Sequence, residues 1–107
     1  MDMLTFGAAQ NAFRERSDKV GRQGIDNALR LANAMASKVG KINGSAKFED
    51  RKDPEWDPGL EEGFLADVVG YCLLYANHRG IDLGAAVRAK FNADSDRLGA
   101  SGVLLVS

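Results

Sequence analysis

The stretch between Asp57-Pro58 and Arg79-Gly80 constrains this chain more than any other. Asp57 can accept the free amide protons of a first helical turn, and Pro58 lacks one of those donors. Glu61 and Glu62 suit the positive end of the helix dipole, and Gly80 supplies the stop. The spacing predicts a helix from Pro58 to about His78. Leu60, Phe64, Leu65, Val68, Val69, Tyr71, Cys72, Leu73, Leu74 and Tyr75 occupy nearly every side of it. A helix apolar all round must be enclosed, either at the centre of a bundle or between subunits. A chain of 107 residues buries only a modest core by itself, so self-association is a direct way to cover such a helix.

The rest of the chain also reads as helical. Thr5 can cap a first helix from Phe6 to about Ser17, where Phe6, Ala9, Phe13 and Arg16 recur at helical spacing. Lys19 to Gly24 reads as a connection. Asp26 can cap a second helix through Leu29, Leu31, Ala32, Met35, Val39 and Ile42, with Asn43-Gly44-Ser45 as its stop. Asp82 can cap a fourth helix through Leu83, Ala86, Val87, Lys90 and Phe91. The tail Gly102-Val103-Leu104-Leu105-Val106 is β-prone and short, which suits a docked arm better than an independent strand. The expected architecture is one all-α domain: a four-helix bundle, a mixed-charge loop at about 43–57 and a C-terminal arm at about 98–107.

Charge and cysteine content narrow the function classes. Fourteen Lys and Arg stand against 15 Asp and Glu, for a formal net charge of -1. That balance lacks the basic excess with which nucleic-acid binders neutralise phosphates. No apolar run approaches the roughly 20 residues needed to span a bilayer. The single Cys72 cannot form an intrachain disulfide, and one histidine leaves no Cys/His set for a structural zinc. Met1-Asp2-Met3-Leu4 has neither the basic nor the apolar character of a signal peptide, so the expected setting is cytoplasmic.

From Ala46 to Asp57 the chain is polar and charged, and the sign of the charge changes along this stretch and its flanks. Lys38, Lys41, Lys47, Arg51 and Lys52 come first, and Asp53, Glu55, Asp57, Glu61 and Glu62 follow. Two halves that pair with each other in solvent account for this pattern, as does a lid over a site. Trp56 beside them suits an anchor onto the core or a platform for a base. His78 fits a helix C-terminus, Cys72 fits packing, and Gly99-Ala100-Ser101-Gly102 follows no strand and is no phosphate loop.

The second half carries a more specific signal. The runs Leu65-Ala66-Asp67-Val68-Val69-Gly70-Tyr71, Leu73 to Val87 and Lys90 to Gly99 resemble the MazG-like all-α nucleoside triphosphate pyrophosphohydrolases. The resemblance implies a compact helical bundle that forms dimers or tetramers. It also implies a magnesium-dependent split of a nucleoside triphosphate into monophosphate and pyrophosphate. Attack of water between phosphates needs metal ions to neutralise charge, and magnesium needs hard carboxylate oxygens. The family supplies these as paired acids at i and i+3 on two helices.

At those positions this chain departs from the pattern. Lys38 and Lys41 fall where the family has two glutamates, and an alternative register puts Ala34 and Ser37 there. Phe64 falls on a third glutamate, leaving Asp67 as the retained metal-type carboxylate, with Glu61 and Glu62 as substitutes one turn earlier. Lys38 and Lys41 can face Asp67, so that ammonium groups stand where metal charge would be, or they can lie on an exposed face. Lys90, Asn92 and Arg97 match the part of the pattern near the phosphates or base, where cations and an amide suit phosphate and base edges. The expected ligand is a nucleoside triphosphate or its products, held by Lys38, Lys41, Lys90, Asn92 and Arg97, with magnesium if the chain is active. The rival expectation is an inactive relative that binds nucleotides or proteins.

Overall fold

A computed structural model describes residues 4–20 and 27–106. Four helices follow in order: α1 Phe6–Val20, α2 Ala28–Asp50, α3 Pro58–Arg79 and α4 Leu83–Arg97. No strand occurs among the described residues. None of the helices among those residues is long and apolar enough to cross a membrane.

The ends follow from local chemistry at most positions. Thr5 Oγ1 accepts the Ala8 amide at 3.1 Å. Asp57 accepts the Gly59 amide with Pro58 in the first turn of α3, and Asp82 accepts the Ala85 amide to open α4. Gly80 closes α3 at φ 68°, a left-handed conformation that favours glycine. Residues 21–26 lie outside the described residues, and the Asp26 cap lies among them. Asn27 caps α2, accepting the Arg30 amide at 2.8 Å. Helix α1 runs three residues beyond the expected Ser17.

The second helix corrects the sequence reading. It does not stop at Asn43-Gly44-Ser45 but continues to Asp50. Ile42, Ser45 and Phe48, all half-buried, keep the helical period through this segment, and Ser45 Oγ donates to Glu61 Oε1 at 2.7 Å. Packing against α3 outweighs the weak helix propensity of Asn43 and Gly44. The connection is therefore residues 51–57 rather than about 43–57. The charged groups from Lys47 to Glu62 do not pair with each other, since no ion pair among the described residues involves them; Lys38 pairs with Asp67 instead. The turn is built instead from local bonds: Asp53 Oδ1 accepts the Glu55 amide, and the Asp53 carbonyl accepts that of Trp56.

Helix α3 is central, packed on α2 along one flank and on α1 along another, while α4 packs on α1. The α2–α3 hairpin is antiparallel. Met35 meets Cys72, Lys38 meets Asp67, Lys41 meets Phe64 and Ser45 meets Glu61, each step down α2 matching a step up α3. Gly70 lets α1 approach, since a methyl group there would stand 3.3 Å from the Phe13 ring.

A polar latch holds α1 to the α3–α4 corner. Gln10, only 7% exposed, donates to Asn77 Oδ1 and to the Ile81 carbonyl and accepts the Leu83 amide. Asn77 Nδ2 returns a bond to the Gln10 carbonyl. Every polar atom of the Gln10 side chain is thereby satisfied, as burial requires.

The single chain covers little of its apolar surface. Among the described residues only Ala9, Leu31, Leu73 and Ala76 form the buried apolar core. The accessible surface is 7954 Å², against about 5,800 Å² for a compact monomer of this mass. The radius of gyration is 16.6 Å, against about 13 Å for a compact chain of this length. Helix α3 sits between two helices yet keeps Leu60, Leu65 and Val69 exposed.

Candidate functional site

The α2–α3 hairpin presents two chemically different sides. Lys38, Ile42 and Ser45 lie on the line of α2 that faces α3, and Phe64, Val68 and Tyr71 lie on the reciprocal line. Lys41 on α2 and Asp67 on α3 flank those lines on one side. Ala32, Ala36 and Val39 on α2 flank them on the other side, as do Leu65 and Val69 on α3.

On the polar side, Lys38 Nζ lies 3.1 Å from Asp67 Oδ2. The Lys38 and Lys41 ammonium groups stand 6.0 and 5.7 Å from the centre of the Phe64 ring, within cation–π range. The hydrogen bond to Asp67 raises the Lys38 pKa above the ordinary lysine value, and partial desolvation opposes that rise. Lys41 has no carboxylate partner among the described residues.

This donor set does not fit magnesium. Asp67 is engaged by Lys38, and the flanking positions hold a second ammonium and an aromatic ring. Glu61 accepts from Ser45 at 2.7 Å and from Trp56 Nε1 at 3.5 Å. On α3 it lies six residues from Asp67, about 120° away around the helix. Glu62 is exposed. No group of three or more His, Cys, Asp or Glu side chains converges to hold a metal among the described residues. Trp56, half-buried and bonded to Glu61, anchors the connection to the start of α3.

The expected ligand-binding residues divide between two places. Lys38 and Lys41 face α3. Lys90 and Arg97 both reach Asp94 on their own helix, at 3.2 and 3.5 Å. Asn92 grips the C-terminal arm, donating to the Leu105 carbonyl at 3.0 Å and accepting the Leu105 amide at 2.8 Å. Its amide is thus committed to backbone. His78 is exposed at the end of α3, and Cys72 rests 3.8 Å from Met35 Sδ.

The apolar side holds a feature that residue types alone did not single out. Ala32, Met35, Ala36, Val39 and Tyr75 line an open groove of about 480 Å³. The period-four run of Ala32 and Ala36 beside Val39 is its sequence trace. Beyond it lie Leu65, 55% exposed, and Val69, 48% exposed.

Comparisons with protein-family models, with curated proteins and with solved structures find no match.

The ion pair makes a prediction whose sign is fixed. A lysine pKa raised by folding adds stability that is fully present below its unfolded value of 10.5 and is lost as pH rises through the higher folded value. Asp67→Asn is expected to lower the melting temperature at neutral pH, with the gap to the parent protein closing at strongly alkaline pH. Coincident melting temperatures across that range would show that the pair contributes nothing to folding.

Proposed function

We propose that this chain is a non-hydrolysing, MazG-like helical module that works by association, first of all with a second copy of itself. The observation that carries the reading is the uncovered surface. Fifteen large apolar side chains are exposed among the described residues. The surface exceeds that of a compact monomer of equal mass by roughly 2,000 Å². A stable interface takes about 800 Å² from each partner, so the excess is ample for a dimer or a dimer of dimers. The Ala32–Val39 groove with Leu65 and Val69 forms the contact.

The MazG-like reading rests on the run from Leu65 to Gly99 and on the hairpin. Lys38 and Lys41 oppose Phe64 and Asp67 across it, and these are the four positions at which the resemblance implies carboxylates. With three of the four carboxylates replaced, the seam becomes a lysine–aspartate lock. Fold likeness does not carry activity with it when the site chemistry has changed.

Nucleoside triphosphates incubated with the protein and magnesium or manganese are expected to release no pyrophosphate above background. Turnover that copurifies with the protein and disappears in Asp67→Asn would overturn the non-hydrolysing reading. A second reading, nucleotide binding without turnover, is favoured by the Lys41 ammonium, which has no carboxylate partner among the described residues. Calorimetry with ATP tests it: heat lost in Lys41→Ala supports phosphate binding at this seam, and no heat leaves association alone.

A further inference from the structure

The tail of the chain is held in an unusual state. Behind the turn in which the Val103 amide donates to the Ala100 carbonyl, Val103 to Val106 carry no regular secondary structure, and all four side chains are exposed. Asn92 fixes one residue of this strip, Leu105, through both of its backbone polar groups. The amides of Leu104 and Val106 have no partner among the described residues. Asn92 meets both the amide and the carbonyl of Leu105, and in trans peptides the Leu104 carbonyl and the Val106 amide then point to the other edge. The edge of Leu105 is closed by Asn92, and the edge of Leu104 and Val106 is open.

We infer that the open edge pairs antiparallel with the same strip of a second copy. Val103 and Val106 are 60% and 86% exposed, and Leu104 and Leu105 are about half exposed, so the arm carries apolar surface that pairing would cover. The strip also lacks every usual defence of an exposed edge: Gly102 to Val106 contains no charged residue and no proline. A second copy supplies an identical strip and the two-fold symmetry that antiparallel pairing of like strands requires.

One register pairs both open residues of each arm: Leu104 opposite the partner's Val106, and Val106 opposite the partner's Leu104. The two-fold axis then passes between the two Leu105 residues. These face each other as a non-hydrogen-bonded pair with Cα atoms about 4.5 Å apart, within the range a disulfide spans.

The inference rests on self-association and adds a second, smaller contact to the groove, and cross-linking separates the two. In a Cys72→Ser background, Leu105→Cys is expected to give a covalent dimer within minutes of mild oxidation with diamide. Ser101→Cys, also exposed but remote from the axis, is expected to remain largely uncross-linked. Sedimentation of the same reduced samples reads the association. A Leu105→Cys protein that associates but cross-links no faster than Ser101→Cys would overturn the arm pairing and leave the association standing. A monomeric protein without cross-links would overturn both. Leu104→Pro, which removes one open amide and leaves the helices untouched, is expected to abolish the cross-link in the Leu105→Cys protein. Undiminished cross-linking there would also overturn the pairing.

Discussion

Leu65→Glu combined with Val69→Glu is expected to leave the protein monomeric at concentrations where the parent chain is associated. The two side chains stand one helical turn apart on α3, on the side of the hairpin that carries the groove. Both are about half exposed in the single chain, so the substitutions disturb few contacts within it. Covering one Val or Leu side chain contributes about 1.5–3 kcal/mol, so placing charge at both positions weakens association by roughly 10²- to 10⁴-fold. Leu60→Glu is the matched control. Leu60 is equally exposed on α3 but lies toward the polar side of the hairpin, and its substitution is expected to leave the association unchanged. Size-exclusion chromatography with helical circular dichroism reads both outcomes. An associated double variant, or a monomeric Leu60→Glu, would place the interface elsewhere.

Leu73→Ala is expected to cost about 2–5 kcal/mol of stability, the range for truncating a buried leucine. Leu73 is 3% exposed on the central helix and is one of four buried apolar residues among those described. A small domain has a total stability of only about 5–15 kcal/mol, so this single change consumes a large share of it. Leu60→Ala, on the same helix and also a leucine, is expected to change stability by no more than about 0.5 kcal/mol. Urea denaturation of both variants at one protein concentration checks the contrast. Equal losses would mean that α3 is enclosed evenly and that the exposed side is not open.

The starts of α1, α3 and α4 were legible because each is set by a residue acting within one turn of itself: Thr5, Asp57-Pro58 and Asp82. The end of α3 was legible for the same reason, since Gly80 acts locally. The path of α2 through Asn43-Gly44-Ser45 was not legible, because its support is Glu61, sixteen residues away. Asn92 shows the same limit. Its residue type suits a base edge, and only the fold brings Leu105 to it. Lysine facing Asp67 was one of two readings of the residue pattern, and the hairpin register selects it. The groove escaped notice because alanines and a valine on a helix are ordinary core residues, and which side of α2 stays uncovered depends on where α1 packs.

Small cores and wide surfaces have a thermodynamic consequence. When a partner copy supplies the missing burial, folding and association are linked, and stability depends on protein concentration. On the proposed reading this chain completes its fold by association. The direct measurement is analytical ultracentrifugation of the parent protein from low to high micromolar concentration, with melting temperatures taken on the same samples. A dimer or larger species is expected in place of the 11.5 kDa chain, with a melting temperature that climbs as concentration rises. A single 11.5 kDa species throughout, melting at one temperature at every concentration, would contradict it.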